Sequence, residues 1–496
     1  MIKIINLKKF LFPWISTDIS KIKLNSIKLN SKKIIKNDIF IALYGNCNHG
    51  KNFIFEAIKN GSSIILIETK NILKHGIIYF IKNIPIIYFY NLNYSLSELS
   101  GKFYLHPSRY MNVIGITGTN GKTTISHFIA KWLFLLGEKI GIIGTLGYGC
   151  LNKMKKSKNT TNSAIKCQKL LNFFLKKNIN TVVMEVSSHG LHQNRVNNIN
   201  FFSAIFSNLS QDHIDYHKNM MQYEQSKWKL FSKLNVYKYI INYDDVIGKN
   251  WIKKIPNSII VSTKKNSIKK FKNLKMYVKD IFFHYFGTKL SISSSWGSCV
   301  INTKIFGEFN INNLLLSFVA LLTLGYNFKS LANVAENLTM PNGRMKIFYV
   351  KKIPRVIVDY AHTPDALEKV LSAIKLHFKK NIWSIFGCGG DRDKSKRRVM
   401  GKICDLYSIN IILTNDNPRS ESETKIFNDI KIGIKNLNKV NIIPSREHAI
   451  KFAIDNSNEK DIVLILGKGH EEHQVFKYKK VFFSDQILVN KILYKT

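Results

Sequence analysis

Apolar and polar positions along this chain fall into two kinds of block. Short unbroken apolar runs, bounded by Gly, Asn or Asp, read as buried strands. Stretches with apolar residues three and four apart read as amphipathic helices. Near the N-terminus, Asp38–Tyr44 and Ser63–Ile67 read as strands, with Phe55–Lys59 helical between them. Next come strands at Asn112–Thr117, Lys139–Gly144, Thr181–Val186 and Ser203–Asn208, a helix at Thr123–Leu136 that stops at Gly137, and an amphipathic helix around Tyr223–Trp228. Gly307–Asn313 leads into a helix ending at Gly325, where Asn310 suits an N-cap. Beyond Met340 the alternation is regular. Strands at Arg355–Asp359, Asn381–Phe386, Ile409–Thr414 and Asp461–Leu466 are interleaved with helices at Asp365–Phe378, Lys396–Asp405, Lys425–Lys435 and Arg446–Asn456, and Asp485–Tyr494 is the last helix. Such alternation predicts a Rossmann-like sheet whose polar loops gather at one edge.

The fold class is therefore α/β, and a chain of 496 residues has room for three domains. The expected division is a small N-terminal α/β domain over 1–97, a central parallel-sheet domain over 98–339, of P-loop ATPase type because of the strand–loop–helix carrying Gly118-Thr119-Asn120-Gly121-Lys122-Thr123-Thr124, and a C-terminal Rossmann-like domain over 340–496.

Composition changes this picture little. Hydrophobic residues make up 45% and charged residues 22%, enough apolar matter for several cores. Lys and Arg number 75 against 32 Asp and Glu, a formal charge of +43. A basic P-loop NTPase acting on nucleic acid is one reading of that charge. The lysines are scattered along the whole chain, and neither a Walker B strand nor a nucleic-acid groove stands out, which favours general compositional enrichment. Cys47, Cys150, Cys167, Cys299, Cys388 and Cys404 form no C-x-x-C pair, so neither a zinc site nor a redox motif is indicated, and they read as reduced thiols in a cytosol. Pro13 cuts short the apolar run that follows Lys3, Lys8 and Lys9, which argues against a signal peptide. Glu68, Lys70, Lys74 and Lys82 break the apolar region Ile64–Tyr90, so no membrane span is expected.

The candidate chemistry centres on Gly118-Thr119-Asn120-Gly121-Lys122-Thr123-Thr124, set between a strand and a helix. Glycines let backbone N–H groups approach an anion, the helix start favours negative charge, Lys122 adds a cation and Thr123 a hydroxyl for Mg²⁺. The spacing is shorter than the general Walker loop, whose first glycine would fall at Ile116. Glu185 ends a strand, where a carboxylate beside a phosphate loop can hold Mg²⁺ or pair with a surface lysine. Asp212, His213, Asp215 and His217 could form a metal site or cap helices. From its surroundings alone, Lys227 reads as a surface lysine.

The segment T-G-T-N-G-K-T-T resembles the ATP loop of the Mur ligases and the related folylpolyglutamate synthetases. D-H-I-D-Y-H at Asp212–His217, Y-E-Q-S-K-W at Tyr223–Trp228, G-E-F-N-I-N-N at Gly307–Asn313 and D-N-P-R at Asp416–Arg419 extend the resemblance to nearly the whole chain. D-N-P-R marks the branch of the family that adds meso-diaminopimelate.

The resemblance implies ligation of meso-diaminopimelate to UDP-N-acetylmuramoyl-L-alanyl-D-glutamate, with ATP as co-substrate and an acyl-phosphate intermediate, in cytoplasmic peptidoglycan precursor synthesis. A sister ligase adding L-lysine and a folylpolyglutamate synthetase are the near alternatives. It implies catalytic roles for Lys122, Glu185, His213 and Lys227. Lys227 would be the lysine carbamylated by CO₂, and Thr123, Glu185, His213 and the modified Lys227 would organise Mg²⁺. ATP would be held by Gly118 to Thr124 with Asn310, Asn313, Arg344 and Asp359. The uridine-nucleotide substrate would touch Leu29, Ser31, Asn46, Cys47 and Asn48 in the N-terminal domain and Asn159, Thr160, Thr161, Ser187, Gln193 and Arg195 in the central one. Asn30 and Asn46 stand where the family carries Asp and His. Arg392, Asp416, Asn417, Pro418, Arg419, Gly467 and Glu471 would bind meso-diaminopimelate. The partners implied are small molecules only, with no nucleic acid and no membrane insertion, and the chain is expected to be a monomer.

Overall fold

The structure, a computed structural model, describes residues 2–19, 21–45, 49–264, 268 and 271–494. Three larger sheets, each backed by helices, account for most of it.

The N-terminal sheet has five strands in the order Ile27–Lys28, Asp38–Ala42, Ser62–Thr69, Ile84–Tyr90 and Ile78–Ile81, parallel but for the last pair. An antiparallel pair, Lys3–Asn6 with Lys21–Leu24, lies beside it. The helix Leu92–Phe103 sends Leu92, Leu96, Leu99 and Phe103 into the core of this unit. The expected junction at 97/98 falls inside that helix, which packs in one cluster with the N-terminal strands and with Ala164 and Ile165 of the central unit. Helix periodicity continues across the junction, and a Gly at position 101 does not interrupt it.

The central sheet has eleven strands. Its middle is parallel, in the order Ile140–Gly144, Thr181–Glu185, Asn112–Thr117, Phe201–Phe206, Val236–Asn242 and Ile259–Ser262. Lys275–His284 continues it, then Gly287–Ser294 and Gly297–Thr303 add antiparallel strands that the apolar pattern did not reveal. Lys289, Ser291, Ser293 and Asn302 lie on their outer side together with exposed Phe282 and Val300, while Met276, Val278, Leu290, Ile292 and Ile301 face the helix Glu308–Thr323. A register shift between Val278 and Asp280 breaks the two-residue period that would have marked the first of these strands. That helix starts at Glu308, so Asn310 is not its N-cap. It lies buried in the first turn, its amide donating to Phe306 O over 2.9 Å.

The C-terminal sheet runs Lys346–Phe348, Arg355–Asp359, Ile462–Leu466, Ile382–Phe386, Asn410–Leu413 and Val440–Ile442, parallel except for the first strand. The C-terminal strand ends of the central and C-terminal sheets meet across one cleft. Asn120 donates to Asp365 (2.9 Å) and Gln211 to Ser395 (2.8 Å) across it.

Candidate active site

The loop Gly118–Gly121 leaves the end of Asn112–Thr117 and enters the helix Lys122–Leu135. Its two glycines are needed for different reasons. Gly118 lies against Ser207, whose Oγ a Cβ would meet at 1.9 Å; Gly121 has φ +89°, and a Cβ there would sit 2.4 Å from Asn313 Oδ1. The loop is held from outside by Asn208, which accepts from Asn120 N (2.9 Å) and donates to Asn120 O (3.1 Å).

Two lysines converge on the loop. Lys122 Nζ donates to the carbonyls of Gly118 (2.8 Å) and Thr119 (2.9 Å). Lys227, on the helix Met220–Ser232, is buried rather than at the surface. Its Nζ donates to the same Gly118 carbonyl over 2.8 Å and lies 4.3 Å from the Tyr223 ring centroid. Its helix is amphipathic, but its inner face packs beneath a loop 109 residues away, which local pattern cannot reveal. Burial, reinforced by the nearby Lys122 charge, holds the Lys227 amine well below the ordinary ammonium range. Burial lowers Lys122 too, against the pull of Glu185 and Asp212.

Glu185 is buried and pairs with no surface lysine. Its Oε2 accepts from Thr123 Oγ1 and Thr145 Oγ1, both at 2.9 Å, and its Oε1 from Thr145 N at 2.9 Å. Thr145 went unnoticed in the sequence; its only signal is a polar residue just past a strand end. His213 has φ +56° and makes no capping bond, while Asp212 sits 3.3 Å from its Nε2. Desolvation, only partly offset by Asp212, keeps the imidazole neutral through the physiological range. Among the described residues, no three His, Cys, Asp or Glu side chains converge as a metal nest. Thr123, Glu185 and His213 do line one cavity of about 210 Å³, together with Asn310, Asn313, Arg344 and Asp359. Burial raises the Asp359 carboxyl above its ordinary range, although Met345 N and Ala361 N donate to it over 2.7 and 2.8 Å. The Arg344 guanidinium stacks 4.3 Å from the Tyr360 ring centroid.

That cavity adjoins a polar cleft of about 470 Å³, and Thr160, Asp212, His213, Tyr360 and His362 line both. Asn159, Thr161, Ser187 and Arg195 form one wall of the cleft. Thr161 ties that wall together: its hydroxyl donates to Glu185 O and receives Ser187 N, while Arg195 donates to its carbonyl over 2.6 Å and to Gln193 Oε1. The opposite wall is Arg392, Asp416, Asn417, Arg419, Gly467 and Glu471. Gly467, at φ +106°, leaves room for Asp416, whose Oδ2 a Cβ would meet at 2.6 Å. Arg419 does not pair with Glu421 or Glu423 at the surface. Its Nη1 donates to Gly390 O (2.7 Å), its N–H to Val475 O (3.0 Å), and Glu421 is taken by Arg397. Pro418 is buried behind it.

Leu29 and Ser31 line neither cavity. Leu29 is exposed, and Ser31 donates to Glu56 in a turn of the N-terminal unit. Asn46, Cys47 and Asn48 lie outside the described residues. The five described cysteines are free. Among the described residues no helix is long and apolar enough to cross a membrane.

Residues 116–321 match the Mur ligase middle domain, and residues 343–469 the Mur ligase glutamate ligase domain. The chain is 46% identical over 492 residues to the UDP-N-acetylmuramoyl-L-alanyl-D-glutamate–2,6-diaminopimelate ligase of Buchnera aphidicola subsp. Schizaphis graminum, covering 99% of both chains. It is 42% identical to the protein of that name from Haemophilus influenzae, covering 94% of this chain and 95% of that one. A solved structure of a ligase of that name superposes with a TM-score of 0.70 at 29% identity, covering 99% of each chain. The MurF ligase of Thermotoga maritima, solved with ADP, shares the fold at a TM-score of 0.61 and 17% identity, over 89% of this chain and 93% of that one.

Proposed function

This chain belongs to the Mur ligase family, and from that premise we propose that it is the ATP-dependent ligase that joins meso-diaminopimelate to UDP-N-acetylmuramoyl-L-alanyl-D-glutamate. The observation that carries the reading is the shared wall between the two cavities. A phosphoryl group over Lys122 and an amino acid beside Arg419 would meet at Asp212, His213 and His362.

The loop N–H groups and Lys122 bind the ATP phosphates, and Lys122 offsets charge as the γ-phosphoryl moves to the glutamate carboxylate. Asp359 and Arg344 border the nucleoside side of that cavity, with Asn310 and Asn313 opposite. Thr123 Oγ1 and the Glu185 carboxylate are hard oxygen donors beside the loop, with the neutral His213 imidazole on the same cavity, a set that fits Mg²⁺. Mg²⁺ held there supplies further positive charge to the phosphate oxygens. An uncharged Lys227 amine is the form that adds CO₂. The resulting carbamate would turn a buried amine into an oxygen-donor anion at the foot of the loop and would add a hard donor for the cation. Thr160, Thr161, Ser187, Gln193 and Arg195 hold the nucleotide-peptide, with Leu29, Ser31 and residues 46–48 reserved for its uridine end. The amine of meso-diaminopimelate, held by Arg392 and the Asp416–Arg419 loop with Gly467 and Glu471, then displaces phosphate. No protein nucleophile is required. The chain works as a cytoplasmic monomer, its units divided near 98–104 and near 340.

The test is a ligation assay with ATP and the nucleotide-dipeptide, offering meso-diaminopimelate and L-lysine separately and weighing the product. Efficient use of lysine would move the chain to the sister ligases. ATP turnover dependent on single-stranded DNA would move it out of ligation chemistry altogether.

A further inference from the structure

Lys468 stands between Gly467 and Gly469, just past the strand Ile462–Leu466, and has no exposed surface. Lysine is almost never fully buried without partners that use its charge. Here all three ammonium donors are occupied. Nζ reaches Glu471 Oε2 at 2.9 Å, His473 O at 2.8 Å and Asn417 Oδ1 at 3.3 Å. Two of those three acceptors belong to residues that line the amino-acid side of the cleft.

The same two residues are also bonded to each other. Asn417 Nδ2 donates to Glu471 Oε2 over 3.1 Å, and Asn417 Oδ1 additionally receives Val475 N at 2.9 Å. One carboxylate oxygen of Glu471 is thus fixed by two donors. Among the described residues no hydrogen bond takes up the other oxygen, Oε1. The carbonyl end of Asn417 is fixed in the same way, which settles which end of its amide is oxygen.

We propose that Lys468 is a positioning residue for the incoming amino acid, a buried cation that orients Asn417 and Glu471 and compensates the Glu471 charge so that Oε1 can accept an ammonium group of the substrate. The inference rests on the reading of the cleft as the meso-diaminopimelate site and deepens it. It assigns Lys468 no contact with substrate and no part in phosphoryl transfer.

The physical argument is one of pre-organisation. A carboxylate with an unfixed rotamer must be ordered on binding, and a carboxylate and an amide left without the buried cation between them must also find a common geometry. The buried ammonium meets these ordering costs before substrate arrives. It does so on only one side of the cleft, so its effect should fall on one substrate.

The experiment is steady-state kinetics of the full chain with Lys468→Met, which keeps the length of the side chain and removes its charge. KM for meso-diaminopimelate should rise by about 10- to 100-fold. KM for ATP and for the nucleotide-dipeptide should stay within about twofold, and kcat at saturating amino acid should fall much less than kcat/KM. If Lys468→Met does not accumulate as folded protein, Lys468→Gln, which retains a donor toward Glu471, carries the same test with a rise of about threefold or more. An unchanged KM for meso-diaminopimelate in a folded variant overturns the inference, as does an equal rise in all three KM values, which would mark Lys468 as a general staple. A wild-type chain that fails to ligate meso-diaminopimelate overturns the underlying reading and the inference with it.

Discussion

The two halves of the active-site cleft treat buried charge in opposite ways. On the phosphate side, Lys122 and Lys227 point Nζ at backbone carbonyls, and burial lowers both. On the amino-acid side three buried cations have a carboxylate, while a fourth, Lys396, donates to the His362 carbonyl at 3.0 Å. Arg397 grips Glu421 and Asp429 at 2.8 Å, Arg446 grips Asp485 at 2.7 Å, and Lys468 holds Glu471 at 2.9 Å. Lys122, bonded only to carbonyls, is held ready for an anion that comes and goes, and Lys227 is held toward its uncharged amine. A paired cation holds a fixed shape. The phosphate side is therefore a charge receptor and the amino-acid side a template, and substitutions on the two sides should fail differently.

The largest effect is expected on the template side, in selectivity. Arg419 is held by Gly390 O and by the backbone of Val475, so its guanidinium is placed without a competing carboxylate. meso-Diaminopimelate carries a distal carboxylate that lysine lacks, and a guanidinium reads it through paired charge-assisted bonds. A site built for such a group rejects the analogue lacking it by ~10⁴ or more. Arg419→Ala should collapse most of that ratio by lowering kcat/KM for meso-diaminopimelate while the weak lysine rate changes little. Equal losses for both amino acids would mean that Arg419 only supports the loop.

On the receptor side the losses should appear in turnover and leave amino-acid selectivity alone. Lys122→Ala should lower kcat by ~10²–10³, with the ratio between the two amino acids unchanged and the melting temperature close to that of the parent. A shift in selectivity would break the division between charge receptor and template. Lys227→Ala should cost about 10² in kcat, and a short carboxylate such as acetate should restore part of it by standing in for the carbamate. Restoration by methylammonium instead of acetate would show that the amine is the working form.

How much of this was legible in the sequence depended on how local each cause is. The strand Asn112–Thr117 and the helices Arg446–Asn456 and Asp485–Tyr494 have the expected bounds, because each is a continuous apolar run or helical period. The phosphate loop was legible because glycine spacing, lysine and hydroxyl are consecutive. The antiparallel strands over 275–303 were not, since a bulge shifts the period of the first and outward-facing Phe282 and Val300 break the polar side of the alternation. The buried ion pairs were invisible. Arg397 and Glu421 are 24 residues apart and Arg446 and Asp485 are 39 apart, and in a chain rich in basic residues nothing local separates a buried arginine from an exposed one. The burial of Lys227 and of Asn310 came likewise from contacts made by distant segments, so residue-by-residue reading put one at the surface and the other at a helix cap.

The smallest effect expected is one of pH on stability, and it sharpens the comparison because the two sides carry opposite signs. Two parallel 2.8 Å bonds from Arg397 hold the Glu421 carboxyl down to about 2, from an ordinary value of 4.5. A carboxyl lowered on folding adds stability that is complete above its unfolded value and is lost as pH falls through its folded one. The Glu421 contribution should therefore be intact above about pH 4.5 and drain away toward about pH 2. Solvent screening at the loop reduces its size to roughly 1–2 kcal/mol. Lys227 behaves the other way. An amine lowered on folding opposes folding at every pH below its unfolded value, so the charge receptor weakens the fold across the neutral range in which the template strengthens it. Urea unfolding between pH 2 and 5 should show wild type losing stability faster than Glu421→Gln as acid is added, the two curves converging near pH 2. At neutral pH, in CO₂-free buffer, Lys227→Met should be more stable than wild type. Parallel curves for wild type and Glu421→Gln would mean that the Arg397 pair is already neutralised by its surroundings, and the contrast between the two sides would then rest on Arg446 and Lys468.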